Sequence, residues 1–529
     1  MKLESLAKEF IRLDELIDQG YFDEAFSGVE AIYINFINCF DKGDIFFKII
    51  ARAACIFIDI GHMKPCVESS KKGLSILEKF KDEIVDQIGE DAYFYNLSNA
   101  KSNLIVEKDP FNHSFSNIEQ LVDIKTDLWR AIKISEKHNF GQADPTYIVN
   151  LGNSLKQQFR IAEALECYDS VNLLDLDIPQ SWINRSETLL VLNQVSHTYS
   201  IQMLEQIKNG YEKVLSSRQV PPQWMKNYKE KSKFIENKID KECKYIGIEL
   251  DLHDFEKTKS EYENLSDYRK FCLKNNLSLS EHGLYCSCVG SSRDDLTIPT
   301  ARGVTGDFII PMEMVLNRLK SEFSFACHLY FECVSNGKDY ELPQDSCFSE
   351  LFNDELLGLD VERLRTAFRS CFGILDKIAI AVCELFDVYP SNRTVYFQSF
   401  WQLDREDRRD KFNKHKNPGL LALYSIATDL NERRDGEWSF LKQLRNDLEH
   451  EFVVIHKSDT PSDVYKSYDF MENIVFIREE EFIMNLKRIL QLTRSAIFSF
   501  VFAVRNKALS ERDEDAFYLQ RSIYRKNQI

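Results

Sequence analysis

The sequence predicts a mainly α-helical protein in which an array of helical repeats is followed by a helical bundle. In its long segments, apolar residues recur at three- and four-residue spacing, as they do along the buried face of a helix. Only 19 glycines and 12 prolines occur among 529 residues, and 44% of the residues are hydrophobic, which excludes a mainly disordered or fibrous chain. Because one core does not extend over such a length, we divide the chain into residues 1–240, 241–310 and 311–529.

Residues 1–240 contain a repeat of the tetratricopeptide type. Its Leu-Gly, Tyr, Ala and Phe positions are filled by Leu151-Gly152, Leu155, Ala164 and Tyr168. Pro179 follows three residues later than usual, and Ser186 restarts the pattern 34 residues after Gly152. Gly61 and Gly73 belong to more degenerate units nearer the N-terminus. A non-repetitive helical domain is the alternative; in either case we expect a surface for a peptide or protein partner, since stacked repeats form extended concave surfaces.

Residues 241–310 form an irregular connector in this division, with a short helix at 267–272. Four side chains in it pose the question of a zinc site: Cys272, His282, Cys286 and Cys288. The Cys-x-Cys step is shorter than the usual two-residue gap, and no second clean pair completes four ligands. We therefore expect buried or incidental thiols here and no metal or cofactor.

The C-terminal region has the pattern of a four-helix bundle with its core at about residues 350–510. Its four predicted helices are residues 361–386, 419–431, 437–453 and 480–507, and the first and last are long enough to frame a core. A further helical segment, residues 311–333, is expected to pack onto them.

The third of these predicted helices carries the residues of greatest chemical interest. Its buried stripe is predicted to consist of Leu441, Leu444, Leu448 and Phe452. Lys442, Asn446 and His450 recur four residues apart, and at about 100° per residue they project from roughly the opposite side. The basic and titratable groups are therefore expected to face away from the core of their own bundle.

Arg445 and His450, with four residues between them and Asn446 directly after the Arg, resemble the Arg-x(4 to 6)-His signature of HEPN domains. These are the helical bundles of many prokaryotic defence and toxin ribonucleases. The resemblance implies cleavage of RNA without a metal ion, through attack of the ribose 2′-hydroxyl on the neighbouring phosphorus. His450 would then transfer a proton, Arg445 would stabilise the charge of the transition state, and Asn446 would orient the His or a phosphate oxygen.

The resemblance also implies partners. One His does not serve as base and acid on opposite sides of a phosphate, and members of the superfamily pair two bundles so that both motifs line one cleft. Because one such motif is visible in the chain, a homodimer through the C-terminal bundle is expected. A role in anti-phage defence or as a toxin would need control, which we assign to a protein or peptide partner at the repeats.

Other interpretations stay open. Arg445 and Glu449 could form an ordinary i, i+4 ion pair, with His450 as a cation near the C-terminus of a helix. The whole protein could then be a repeat scaffold whose degenerate bundle serves for dimerisation or ligand binding. A transcriptional regulator or nucleotide-transferase partner is a third class, although no helix-turn-helix or glycine-rich phosphate loop is apparent. His456, outside the spacing of the signature, is a secondary candidate.

RNA binding by this chain has to be local, because its formal net charge is −17 and phosphate contacts need clustered Lys and Arg. The predicted RNA-binding residues are Lys442 together with Arg408, Arg409 and Lys411, which belong to a basic stretch between the first two helices of the bundle. A solvated charged loop is the alternative interpretation of that stretch.

The N-terminus lacks the apolar run of a signal peptide, and the longest apolar stretches, such as residues 496–504, are far shorter than a membrane span. Thirteen cysteines, an odd number scattered along the chain, fit reduced thiols better than a disulfide framework. We therefore expect a cytoplasmic protein with no membrane partner.

Overall fold

The computed structural model describes residues 3–38, 43–64, 66–105, 114–198, 200–246, 255–286, 288–298, 308–335, 354–457 and 474–511. The chain divides into two compact units, residues 1–193 with 198–249 and residues 194–197 with 250–529. Within the described ranges, α-helices dominate both units, as predicted for the fold class, and none of them has the length and apolarity needed to cross a membrane.

The first unit is a succession of α-helices in the described ranges. Its helices are α1 (Leu3–Asp18), α2 (Phe22–Ile37), α3 (Asp44–Met63), α4 (Val67–Lys79), α5 (Lys81–Ile88), α6 (Glu90–Asn103), α7 (Ile118–His138), α8 (Pro145–Gln157), α9 (Ile161–Asn172), α10 (Pro179–Ser196), α11 (Ile201–Ser216) and α12 (Pro222–Ile246). The most extensive contacts include α3 with α4, α6 with α7, α8 with α9 and α11 with α12. Contacts between consecutive helices are what a repeat array predicts.

Small residues of the predicted repeat lie where two helices approach closely. A Cβ atom at Gly152 of α8 would lie 2.7 Å from Tyr168 Cε1 of α9, so only glycine fits against the ring. The Tyr168 hydroxyl donates a hydrogen bond of 2.8 Å to Asn153 Oδ1. Gly73 has the same role in α4, where a Cβ would lie 2.7 Å from the Ile58 side chain of α3. In the pair of α8 and α9, the residues at the Leu-Gly and Phe positions of the repeat, Gly152 and Tyr168, therefore determine how closely the two helices pack.

The second unit has a helical bundle and a small sheet. Its elements are α13 (Phe255–Glu263), α14 (Asp267–Lys274), α15 (Ile309–Ser335), α16 (Leu359–Phe386), α17 (Glu406–Asn413), α18 (Pro418–Asp429), α19 (Ser439–His450), β1 (Phe452–His456), β2 (Ile474–Arg478) and α20 (Glu479–Ser510). α20 is the central element, because α15, α16 and α18 all contact it. Residues 311–333, predicted to pack onto the bundle, are therefore an integral part of it as α15.

The contact between α18 and α20 is unusually close. A Cβ at Gly419, in the first turn of α18, would lie 2.4 Å from the Ala503 backbone nitrogen. The buried side chain of Asn417 caps α18 by accepting the Gly419 N–H at 3.0 Å, and its Nδ2 donates to Ala503 O at 2.9 Å. One residue thus satisfies an orphan donor of α18 and holds this helix against α20.

The helix predicted at 437–453 ends earlier, at His450. Leu441, Leu444 and Leu448 are buried as predicted, but the assignment of Phe452 to the same stripe is wrong, since its side chain is 67% exposed and lies on β1. The run Phe-Val-Val-Ile that starts β1 consists of residues that fit a pleated strand. β1 pairs in parallel with β2, from Phe452 opposite Ile474 to His456 opposite Arg478.

Residues 255–298 pack within the second unit. Arg494 of α20 donates from Nε to Ser278 O at 2.8 Å, and Gln491 donates to Asn275 O at 3.1 Å. Further bonds close the segment on itself, including Leu296 N–H to Leu279 O at 3.0 Å. Of the connector predicted at 241–310, residues 247–254, 287 and 299–307 lie outside the described part of the chain.

Candidate functional site

Helix α19 is fixed at both ends, which positions the motif. At its start, the Trp438 N–H donates to Asp429 O at 2.8 Å, and a Cβ at Gly436 would lie 2.2 Å from Thr428 O. At its end, the chain passes through Glu451, whose backbone is extended at φ −121° and ψ 176°, directly into β1. The helix therefore has little freedom to shift relative to α18 or to the sheet.

Asn446 and His450 lie on the side of α19 that faces away from the buried leucines, whereas Arg445, four residues after Leu441, lies at the edge of the leucine stripe. Arg445 and Asn446 are half-buried, and His450 is exposed as the last residue of the helix. Within the described part of the chain, His450 has no hydrogen bond or ion pair. Since Asn446 and His450 are four residues apart, their side chains lie on the same face, one turn from each other. The imidazole is therefore accessible to a substrate or to a second molecule.

Arg445 does not form the ordinary helix ion pair that was the alternative interpretation. Its Nη1 donates a hydrogen bond of 3.3 Å to Asn446 Oδ1, and among the described residues no ion pair joins it to Glu449. The guanidinium has five donor hydrogens in a planar arrangement. It is thus able to bind an anion such as a phosphate.

Asp376 of α16 is a charged neighbour that the sequence did not reveal. Its Oδ1 accepts the Phe397 N–H at 2.9 Å. Burial raises the pKa of Asp376, while the Phe397 hydrogen bond and then the charges of Arg445 and Lys442 act in the opposite direction. The carboxylate therefore lies in the field of two proposed site residues. No local pattern could have indicated it, because α16 and α19 meet only in the folded bundle.

A cleft with a volume of about 1000 Å³ lies along the first half of α19. Lys442 and Asn446 line it, so the polar face of the helix is shared between this cleft and the exposed end at His450. The Lys442 Nζ lies 5.8 Å from the centre of the Tyr396 ring, within the range of a cation–π contact. Burial lowers the pKa of Lys442, and Asp376 partly offsets that effect.

The lining of the cleft suits a polyanion with flat rings. It includes four basic side chains, Arg405, Arg433, Arg434 and Lys442, against the acids Asp404 and Glu432. Tyr396, 52% exposed, presents an aromatic surface in the same lining. This cleft was not predicted, because its residues come from separate loops.

Gln402 is the unusual member of the lining. Its Oε1 is buried, and no hydrogen-bond partner for it occurs in the described residues. Its backbone has a φ of +51°, in the left-handed region that is costly for a residue with a side chain. A buried acceptor without a donor, held on a strained backbone, is typical of a residue positioned for a ligand.

Arg408, predicted to bind RNA, has a structural position instead. It is 4% exposed, and its guanidinium donates to four main-chain carbonyls at 2.9 to 3.2 Å, those of Val388, Tyr389, Phe400 and Trp401. Its face also lies 5.2 Å from the centre of the Phe412 ring. The guanidinium donors of Arg408 are thus occupied by main-chain carbonyls, and we do not include Arg408 in the candidate RNA-binding site.

The other two basic residues of that stretch are more accessible. Arg409 donates to Leu403 O at 2.9 Å and is half-buried, and Lys411 is 3.7 Å from Asp387 in an exposed ion pair. Such exposed pairs contribute little to stability. Arg409 and Lys411 can therefore exchange these partners for phosphate, but neither lines the cleft.

Two further side chains near the motif are buried. Asp447 is buried and accepts a hydrogen bond of 2.6 Å from Gln443 Nε2. The secondary candidate His456 is buried in β1, where its Nδ1 lies 2.9 Å from Lys457 O. Of the two acids that flank the motif, only Glu449 is exposed.

The helical bundle of the second unit is the part of the chain that resembles a known family. Residues 304–507 match a family model of HEPN domains, and this C-terminal region therefore belongs to the HEPN superfamily. The matching family is described as LA2681-like HEPN. The match extends over the elements from α15 to most of α20. No curated protein and no solved structure matches the chain.

Proposed function

We propose that this protein is an endoribonuclease that cleaves RNA without a metal ion, and that Arg445, Asn446 and His450 are its catalytic residues. The observation that carries the proposal is their arrangement on α19 of a HEPN domain. His450 is exposed without a partner among the described residues, and Arg445 has a single hydrogen bond of 3.3 Å, to Asn446. These groups contribute little to the fold, and their chemistry is that of phosphate-ester cleavage.

The proposed reaction uses the substrate's own nucleophile. The ribose 2′-hydroxyl attacks the adjacent phosphorus, its proton passes to a base, and the 5′-oxygen of the next nucleotide leaves with a proton from an acid. His450 moves one of these protons. Arg445 donates hydrogen bonds to the phosphoryl oxygens, on which negative charge accumulates. Asn446, one turn before His450, holds a phosphate oxygen or the imidazole.

A second copy of the motif would supply the other proton-transfer group. We propose a homodimer in which the C-terminal bundles bring two α19 helices together, because the exposed end at His450 is free to meet a partner. Analytical ultracentrifugation of the purified chain tests this. A strictly monomeric protein that still cuts RNA would exclude the pairing.

The cleft beside α19 is the proposed path of the RNA strand. Lys442 and Asn446 belong both to its lining and to the face that carries His450. A strand that follows the cleft would place one base on the Tyr396 ring, since stacking on an aromatic side chain suits any base. Arg409 and Lys411 are proposed as outer phosphate contacts.

We further propose that the enzyme acts in anti-phage defence or as a toxin and that the repeats of residues 1–240 control it. Successive helix pairs of the first unit form the kind of surface that binds a protein or peptide. Removal of residues 1–240 should change the rate or the toxicity of cleavage and leave the chemistry of the products unchanged. Equal activity of both forms, at matched expression, would exclude this role.

Incubation of the purified full-length protein with tRNA and mRNA, without divalent ions, tests the central proposal. Cleavage is expected, and a substrate with a 2′-deoxyribose at the cut should be inert, because it lacks the nucleophile. His450→Ala should slow cleavage by about 100-fold or more. His138→Ala is the matched control, since His138 is also the exposed last residue of a helix, α7.

The competing function is that of a scaffold whose bundle dimerises without catalysis. A wild-type protein that dimerises but leaves every RNA intact would favour the scaffold. Cleavage that persists in His450→Ala would show that other residues, or a contaminant, perform it.

A further inference from the structure

His282, Cys286 and Cys288 come together in the folded segment between α14 and α15. One ligand atom from each residue, a ring nitrogen or an Sγ, lies within 4.8 Å of the other two. The His282 Nε2 is 3.0 Å from Cys288 Sγ. The sequence suggested incidental thiols because a Cys-x-Cys step is short and no second pair follows. In the structure, a 3-10 turn at His282–Leu284 supplies the third donor instead of a second pair.

The types and spacing of these atoms match a thiophilic metal ion. Zinc is bound by thiolate sulfur at about 2.3 Å and imidazole nitrogen at about 2.0 to 2.1 Å in a tetrahedron. Neighbouring ligand atoms of such a tetrahedron are about 3.5 to 4 Å apart by the same geometry. The His282–Cys288 separation of 3.0 Å is somewhat shorter than this range, and all three donor atoms lie within 4.8 Å of one another.

The surroundings orient each donor. The Tyr285 hydroxyl is 3.0 Å from His282 Nδ1, which leaves Nε2 directed at Cys288. A hydrogen bond on the second ring nitrogen is the usual companion of a metal-binding His. The Cys288 N–H donates to Cys286 Sγ at 3.4 Å. Donors to sulfur stabilise a thiolate, the form in which cysteine binds a metal.

Cys272, the fourth residue considered from the sequence, is not part of this group. It is buried in α14, and burial raises the pKa of its thiol to about 11. By contrast, Cys288 is only half-buried, and its Sγ lies 3.0 Å from His282 Nε2. The two environments separate an inert core thiol from one suited to a metal.

The loop that carries the donors is held by its own hydrogen bonds. Ser278 Oγ donates to Ser291 O at 2.5 Å, and the Leu279 N–H donates to Asp294 Oδ1 at 2.8 Å. Arg269 of α14 donates to Asp294 Oδ2 at 2.8 Å. Buried Arg494 of α20 anchors the loop to the bundle through Ser278 O. The donors are therefore presented by a preorganised frame, which favours binding.

We propose that His282, Cys286 and Cys288 bind a zinc ion that fastens the loop of residues 278–296 to itself beside α20. Among the described residues, no other His, Cys, Asp or Glu joins the group, so water would complete the tetrahedron. The site is separate from the α19 motif, and its role in stability does not depend on RNA cleavage.

Metal analysis of the full-length protein tests the proposal. The protein is expressed with zinc in the medium, without a histidine tag, and its zinc content is measured by mass spectrometry. About one zinc ion per chain is expected for a single site. Cys286→Ser/Cys288→Ser should retain almost none. Cys66→Ser/Cys243→Ser is the control, because it removes two partly exposed thiols of the first unit and should keep the metal.

Two further measurements do not depend on how well a variant folds. Titration of the metal-free wild-type protein with Co²⁺ should produce the intense visible bands and the thiolate charge-transfer band of tetrahedral cobalt. A chelator should lower the melting temperature of the wild-type protein and of the control variant. Wild-type protein with no more zinc than the double-serine variant and no cobalt spectrum would overturn the proposal. A Cys286–Cys288 disulfide in protein from reducing cells would overturn it as well.

Discussion

Arg408 and Arg445 lie on α17 and α19 of the same domain, and their guanidinium groups have opposite surroundings. Arg408 is buried and donates to four main-chain carbonyls. Arg445 is half-buried, and within the described part of the chain it donates a hydrogen bond of 3.3 Å to its neighbour Asn446. The first positive charge is used to hold loops together, and the second is available for an anion. The comparison shows that clustering of basic residues in sequence does not identify those that can bind RNA.

The largest expected effect is on stability, at Arg408. Arg408→Ala would leave several buried carbonyls without donors, and each buried acceptor that stays unpaired costs about 1 to 3 kcal/mol. Chemical denaturation of the full-length protein measures the change. Arg409→Ala is the matched control and should cost less than about 1 kcal/mol. A stable Arg408→Ala protein with weakened RNA binding would return Arg408 to the site.

The next effect is on activity, at Arg445. Arg445→Ala should slow cleavage by about 10²- to 10³-fold, as expected when a donor to the developing charge is removed. Its unfolding free energy should stay within about 1 kcal/mol of the wild type, because the hydrogen bond of Arg445 among the described residues is a long one, of 3.3 Å to its neighbour Asn446. Single-turnover kinetics and denaturation are measured on the same preparation. Arg445→Lys should recover little, since an ammonium lacks the planar pair of donors.

If Arg445→Ala lowers the unfolding free energy as much as Arg408→Ala does, Arg445 has a structural role like that of Arg408. The catalytic interpretation of α19 would then be lost.

A moderate effect is expected at Tyr396, on binding alone. Tyr396→Ala should weaken binding of single-stranded RNA by about 1 to 3 kcal/mol if a base stacks on the ring. Tyr396→Phe keeps the ring and should bind as the wild type does. Fluorescence anisotropy measures the affinity, with His450→Ala as the background because the proposed proton-transfer group is absent from that variant. Equal binding by all three would show that the strand does not follow the cleft.

The smallest effect concerns Asp376 and its pH dependence. Burial raises the pKa of Asp376 in the folded state, so its ionisation costs stability above that pKa, and the cost disappears as the pH falls below the unfolded value. Asp376→Asn keeps an acceptor for the Phe397 N–H but carries no charge. The variant should therefore be more stable than the wild type near neutral pH, and the difference should shrink in acid.

Melting temperatures across a pH series measure this difference, with exposed Asp410→Asn as the control. A variant that is less stable than the wild type at neutral pH would mean that Arg445 and Lys442 stabilise the carboxylate by more than burial destabilises it.

The helices were predictable because their signal is local. Apolar spacing placed four bundle helices to within a few residues, with α16 predicted at 361–386 and observed at Leu359–Phe386. The end of α19 was missed because Phe452 continues the three- and four-residue spacing of the leucines although it begins a strand. At Phe452 the apolar spacing predicts a helix, whereas the β-propensity of the following residues favours a strand. The strand forms because β1 pairs with β2.

The candidate site was predictable only in part. Arg445, Asn446 and His450 are close in sequence, and their arrangement on a helix follows from its period. Asp376 and the cleft could not be predicted from the sequence, since both depend on which helices and loops come together in the folded domain. The role of Arg408 was hidden for the same reason, because its partners are main-chain carbonyls that no residue type reveals.

The clamped ends of α19 have a mechanical consequence. Trp438 and Gly436 fasten its start to α18, and β1 continues its end into a sheet that leads through β2 into α20. Because both of its ends are fixed, α19 does not move independently of the rest of the domain. Its amide hydrogens should exchange with solvent as slowly as those of the bundle core, except in the last turn. If the proposed function holds, a regulatory signal would accordingly have to displace the whole domain, because α19 cannot shift by itself.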